Sequence, residues 1–153
     1  MAARWSSLYR TAYVLTGDQH LAEELLQGAL ARTCARWDKL RDKDAASAYV
    51  RRAMVNAASR SWSRRRREVL TDSLPERPST EHADAHDDRL ALWAAIRRLP
   101  PRQRMTLVLR YVEDLPEQAV ARELGVTVGT VKSQTHQAIQ KLRAALPDLE
   151  LKS

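Results

Sequence analysis

The sequence predicts an all-α protein of two small helical domains, the second holding a helix-turn-helix, joined by a flexible linker. Three observations carry that expectation. The composition is rich in Ala, Leu and Arg, with 4 Gly and no Phe among 153 residues, which favours helix over sheet. Apolar residues recur at three- and four-residue spacing along most of the chain, as in helices with one buried face. Charge falls in blocks: residues 1–68 carry a net +7, residues 69–88 a net −5 and residues 89–153 a net +5.

The acidic block, ending in LTDSLPERPSTEHADAHDD, holds Pro75, Pro78 and few apolar residues. It cannot bury enough surface to offset its ordering entropy, so it reads as a tether. Proteolysis of the free protein is expected first between Leu74 and Asp88. The domains are then 1–68 and 89–146, with 69–88 between them.

In the first block, Leu8, Ala12 and Leu15 mark a helix that stops at Gly17-Asp18. Asp18 is placed to cap the next helix, from about His20 to Trp37. Its apolar stripe reads Leu21, Leu25, Ala29, Thr33 and Trp37, with Cys34 as a small buried side chain and Glu24, Gln27, Arg32 and Arg36 outward. A third helix starts near Ala45, with Tyr49, Val50, Ala53, Met54 and Ala57 inward. It ends in SRSWSRRRRE, where Arg64, Arg65, Arg66 and Arg67 follow Trp62. Arginines neutralise phosphates, and Tyr49 and Trp62 offer rings on which an unpaired base stacks. Core burial of both rings, and plain solvation of the arginines, are the alternatives. Asn56 either bonds locally or reads a base edge.

The second block carries the most specific pattern. Leu92, Ile96 and Leu99 mark a helix ended by Pro100-Pro101. Pro101 then suits the first position of the next, with Met105, Val108, Leu109 and Val112 inward. Pro116 opens a short helix with Ala119, Val120 and Leu124 apolar. Gly125 follows where a left-handed cap needs no Cβ. Thr127 is placed to cap a helix from Val128 to Leu142. Helix, glycine turn, helix is the helix-turn-helix spacing. At 100° per residue, Val131, Thr135, Ala138 and Leu142 face the core, while Ser133, His136, Gln137 and Gln140 face outward beside Lys132. Such a face suits major-groove reading, with Gln137 a partner for adenine and Lys132 for guanine or phosphate. Thr130 and Ser133 suit phosphate contacts at the helix start.

These stretches together resemble the extracytoplasmic-function sigma factors of bacterial RNA polymerase, in particular the short actinobacterial SigE-like group. The matching segments are LYRTAYVLTGDQHLAEELLQGALARTCARW, AYVRRAMVNAASRSWSRRRRE, LWAAIRRLPPRQRMTLVLRYVEDL and VARELGVTVGTVKSQTHQAIQKLR. The resemblance spans Leu8 to Leu146. It implies sigma domains 2 and 4 without domain 3, core polymerase and promoter DNA as partners, and an anti-sigma factor as a further candidate. It implies that AEELLQGAL docks on polymerase, with Glu24, Gln27, Arg32 and Arg36 exposed there. It implies that Tyr49, Arg52, Asn56, Arg60, Trp62 and Arg64–Arg67 melt and capture the minus-ten element. Thr130, Lys132, Ser133, His136, Gln137 and Gln140 then read the minus-thirty-five element. The segment before LYR is shorter than in most of the family, and no sensor domain follows Leu146, so regulation is expected to come from elsewhere.

Other chemistry is excluded or weak. A lone Cys34 rules out an intramolecular disulfide or multi-thiolate zinc. His82, Asp84, His86, Asp87 and Asp88 lie in the tether and read as solvated, so no metal or cofactor is expected. No nucleophile motif or phosphate-cradling glycine loop marks an enzyme. No apolar run reaches membrane-spanning length, and MAARWSSLYR lacks a secretory signal, so a soluble cytoplasmic protein, not an obligate homo-oligomer, is expected. A freestanding dimeric DNA-binding regulator is the alternative function. It needs a dimerisation or ligand domain where the first block stands.

Overall fold

A computed structural model describes residues 2–42, 45–69 and 85–148. Its α-helices are α1 (Ala2–Thr16), α2 (Gln19–Ala35), α3 (Ala46–Val69), α4 (Ala85–Arg97), α5 (Pro101–Tyr111), α6 (Glu117–Leu124) and α7 (Val128–Ala145), with a 3-10 turn at Trp37–Lys39. No strand occurs among the described residues. The tether from Leu70 to Asp84, with His82 and Asp84 of the acidic cluster, lies outside them. The residues Ala85–Asp88, assigned to the tether from composition, instead begin α4. Asp87 and Asp88 there complement the positive end of the helix dipole.

The punctuation falls where the chemistry requires it. Gly17 takes φ 72°, and Asp18 Oδ1 then accepts the Leu21 amide at 2.9 Å. Pro101 occupies the start of α5. Gly125 caps α6 at φ 66°, and Thr127 Oγ1 accepts the Thr130 amide at 3.1 Å to start α7. A Cβ at Gly125 would also lie 3.0 Å from Arg52 Nε. Gly125→Ala is therefore expected to cost about 1–2 kcal/mol, read as a lower urea midpoint.

Three expectations about burial are corrected. The buried stripe of α2 is Ala22, Leu26, Ala29 and Thr33. Leu21 is exposed because the buried stripe lies about 100° round the helix from it, and Trp37 because it sits in the 3-10 turn after α2 ends. Cys34 is exposed for the same reason of register. Val112 is exposed too, since it follows the last turn of α5, while Met105, Val108 and Leu109 are buried as expected. On α3, Val50 and Met54 are buried, joined by Val55 and Ala58, while Tyr49, Ala53 and Ala57 are half-buried.

The two halves are packed on each other. One apolar cluster runs from Leu8, Leu26 and Met54 of the first half into Met105, Leu109, Val120 and Val131 of the second. Helix α5 lies at the centre, against α1 and α3 on one side and α6 and α7 on the other. That position explains why its polar residues Gln103, Arg104 and Thr106 are buried. Arg104 is the knot. Its Nη1 donates to the carbonyls of Val14 and Leu15 at 3.1 and 2.6 Å, and its Nη2 to those of Arg97 and Leu99 at 2.6 and 2.9 Å. Those of Val14, Leu15 and Arg97 belong to the C-terminal ends of α1 and α4, which lack helical partners and carry partial negative charge, and that of Leu99 lies in the turn that follows α4. Burial, and then neighbouring Arg97, lower the Arg104 pKa to about 10, so the side chain stays charged at neutral pH. A smaller cluster of Ile96, Leu99, Leu107, Ala138 and Leu142 holds α4 and α7 to α5.

Candidate nucleic-acid and polymerase interfaces

Three surfaces carry the residues singled out from sequence. On α2, Glu24, Gln27, Arg32 and Arg36 are all exposed. His20 Nε2 stands 3.3 Å from Glu24 Oε1, one turn away. Leu21, Glu24, Gly28 and Arg32 follow one another along a single helical stripe and line a cleft of about 770 Å³. The opposite wall brings Trp62, Arg65 and Arg66 of α3 and Arg97 of α4. Gln27 and Arg36 stand outside that lining. The exposed Leu21, expected in the core, gives the stripe an apolar N-terminal end.

On α3, the four consecutive arginines divide around the helix. Arg65 and Arg66 face the cleft beside α2. Arg64 and Arg67, with Asn56 and Arg60, face a second cleft of about 1050 Å³ closed by Pro100–Gln103 and Gln134 of the other half. Trp62 is half-buried and lines both. The Arg66 guanidinium lies 5.3 Å from the Trp62 ring centre, and that of Arg52 lies 5.5 Å from Tyr49. Both distances suit cation–π attraction. Neither ring is core: each keeps partial exposure beside cations, as a stacking platform needs.

Arg52 and Asn56 are engaged by the second half. Arg52 donates to the carbonyl of Glu123 at 3.2 Å and to that of Arg122. The Asn56 Oδ1 accepts from Arg102 Nη2 at 3.3 Å. Beside them, Arg51 Nη1 meets Glu123 Oε2 at 2.5 Å, while its other nitrogens reach Ser7 and Thr11. Arg51, Arg102 and Arg104 gave no signal in the sequence, because an arginine's partners are set by tertiary packing.

The outward face of α7 is formed as the spacing implies. Val131, Ala138 and Leu142 are buried, and Lys132, Ser133, His136, Gln137 and Gln140 are exposed. Thr135, on the core side, turns its hydroxyl back to the Val131 carbonyl at 2.7 Å. Thr130 is half-buried, its hydroxyl 2.9 Å from that of Thr127. Lys132 lies 3.9 Å from Glu117, a long and exposed pair that contributes little. One end of the Gln137 amide is committed to buried Gln103 at 3.0 Å. A bidentate grip on adenine must share that oxygen with Gln103 or turn the amide away from it.

Comparison with known proteins agrees with this layout. Sigma-70 region 2 matches residues 5–68, and sigma-70 region 4 matches residues 89–142. The RNA polymerase sigma-E factor of Streptomyces coelicolor is 42% identical over 144 residues, 94% of this chain and 81% of that protein. The chain belongs to the sigma-70 family, in its extracytoplasmic-function class. The class shows in the ECF RNA polymerase sigma factor SigL of Mycobacterium tuberculosis, 32% identical over 93% of this chain and 84% of that one. The same fold occurs in the sigma factor RpoE of Bartonella quintana, solved in complex with the anti-sigma factor NepR. There the TM-score is 0.65, at 21% identity over 97% of this chain and 95% of that one. This sigma factor is accordingly a transcription initiation factor and not an enzyme. It binds RNA polymerase core and directs it to promoters, with sigma domain 2 opening the minus-ten element and sigma domain 4 reading the minus-thirty-five element. Region 2 stands where a freestanding regulator would need a dimerisation domain, which removes that alternative. No described helix is long and apolar enough to cross a membrane.

Proposed function

We propose that the three surfaces divide the work of initiation among named residues. The domains are 1–68 and 89–146, with α4 reaching four residues further back into the tether. The exposed α2 face of Glu24, Gln27, Arg32 and Arg36, with Leu21 at its N-terminal end, docks on core polymerase. Tyr49, Arg52, Asn56, Arg60, Trp62 and Arg64–Arg67 take the opened minus-ten strand. Thr130, Lys132, Ser133, His136, Gln137 and Gln140 read the minus-thirty-five duplex. The observation that carries this division is the separation of an arginine-and-aromatic face on α3 from an amide, hydroxyl and lysine face on α7. The first suits sequence-tolerant stacking and phosphate contact, the second base-edge hydrogen bonding. The place of action is the cytoplasm, where polymerase and promoters are, and an anti-sigma factor is a candidate regulator, as for the Bartonella protein.

Two measurements test the assignment. Arg32→Glu with Arg36→Glu reverses two charges on the docking face. That variant is expected to co-elute with core polymerase at least about tenfold more weakly than the parent chain, as befits loss of interface charge pairs. Unchanged co-elution places docking elsewhere. Lys132→Ala and Gln137→Ala are each expected to cost ~1–3 kcal/mol at particular upstream base pairs and to relax selectivity there. A uniform loss across sequences would make them phosphate contacts.

A further inference from the structure

The Gln137 amide meets the groove with its polarity already set. Leu107 of α5 and Ala138 of α7 are buried in one apolar cluster, which fixes the register of the two helices. Gln103 stands one turn before Leu107, and Gln137 stands beside Ala138. Across that seam Gln103 Nε2 donates to Gln137 Oε1 at 3.0 Å. Gln103 is 6% exposed, whereas Gln137 is open to solvent. Of the six α7 residues assigned to the duplex, Gln137 alone is hydrogen-bonded to a buried side chain among the described residues. Stability does not account for Gln103. Its Oε1 is buried without a hydrogen-bond partner, a cost that an apolar side chain avoids. The same side chain lines the cleft that carries Arg60, Arg64, Arg67 and Arg102. That cationic field favours an amide oxygen, not an NH2, at the end turned away from Gln137. The donor end of Gln103 is thereby left for Gln137.

We infer that Gln103 is a positioning residue for base reading, which holds the Gln137 amide with its NH2 outward so that it selects guanine rather than adenine. A glutamine amide has one acceptor end and one donor end. With Oε1 held inward, the two N–H groups of Gln137 are what the groove meets. Guanine offers two acceptors there, N7 and O6, and an NH2 can donate to both. Adenine offers N7 beside its N6 donor, and that donor needs the oxygen that Gln103 holds. The residue type alone points to adenine; the buried partner on α5 turns the choice to guanine. Both residues lie within the region 4 match, so the bond does not depend on where domain 2 sits.

The inference rests on Gln137 reading a base edge, and the experiment separates the two. Core polymerase is loaded with each full-length chain. Binding is measured by competition on a promoter isolated by run-off transcription, each upstream base pair being replaced in turn by the other three. Gln137→Ala locates the pair that Gln137 reads, as the position where selectivity relaxes. At that pair the parent is expected to prefer one G·C orientation over both A·T orientations by at least about fivefold. Gln103→Met removes the donor and frees the amide to turn, so that preference is expected to fall below about twofold, with the other pairs unaffected. Its urea midpoint is expected to match or exceed that of the parent, since the buried orphan oxygen leaves with the amide. Gln103→Lys returns a donor that cannot accept, and the G·C preference with it. In a Gln137→Ala chain neither change at Gln103 alters selectivity. A parent that prefers an A·T orientation there, or a G·C preference that survives Gln103→Met, overturns the inference and leaves Gln137 as a reader. A lowered midpoint with selectivity lost at every pair alike makes Gln103 a structural residue and overturns it too. Unchanged selectivity at every pair in Gln137→Ala removes the base-reading role, and the inference with it.

Discussion

Arg104→Met will lower the stability of the chain by roughly 3 kcal/mol or more. Methionine fills comparable space but leaves the carbonyls of Val14, Leu15, Arg97 and Leu99 without the guanidinium that now serves them. Charge-assisted hydrogen bonds of this kind contribute about 1.5–3 kcal/mol each, and buried acceptors left unpaired add their own penalty. Relaxation and water entry reduce the sum, which is why the expected value lies well below four full bonds. Arg104→Lys keeps the charge, yet one ammonium cannot span the ends of α1 and α4 together. It will fall between the parent and methionine. Urea midpoints at constant slope measure both. A loss under about 1 kcal/mol for methionine would mean that water replaces the guanidinium at both helix ends.

Trp62→Ala will give the largest functional loss on α3. A base stacked on an aromatic ring contributes ~1–3 kcal/mol, so promoter opening is expected to fall roughly ten- to a hundredfold. The half-buried ring sits between two arginine-lined clefts with Arg66 at 5.3 Å, so stacking and phosphate neutralisation act at one point. Paired alanine substitutions within Arg64–Arg67 will act differently, weakening binding with little sequence dependence and flattening its salt slope. Run-off transcripts at increasing salt separate the two effects. A Trp62→Ala chain that transcribes normally would make the indole a structural residue.

Helix ends and the turn of the helix-turn-helix were legible because each rests on local chemistry. Asp18, Pro101, Gly125 and Thr127 act within four residues of themselves, and all sit in the expected roles. The face of α2 was harder. Leu21, Ala22, Leu25, Leu26, Ala29 and Leu30 spread over about half the helix circumference, so spacing alone admits two stripes. The structure buries the one containing Ala22 and Leu26 and leaves Leu21 exposed at the cleft beside α3. The face of α7 was easy by comparison, because its polar and apolar residues separate cleanly by angle. Blocks of like charge suggested two modules held apart. Their packing was not legible, since it depends on Arg51, Arg52 and Arg104 finding carbonyls and a carboxylate more than forty positions away in sequence.

The division of labour between α3 and α7 is tested most directly by permanganate footprinting. Core polymerase would be loaded with the parent chain, Asn56→Ala, Trp62→Ala or Gln137→Ala, on a promoter isolated by run-off transcription. With Asn56→Ala and Trp62→Ala, thymines of the minus-ten element will lose reactivity while the upstream duplex stays protected. With Gln137→Ala, protection will weaken upstream. Normal opening by both α3 variants, with upstream protection lost instead, would contradict the assignment of strand capture to α3.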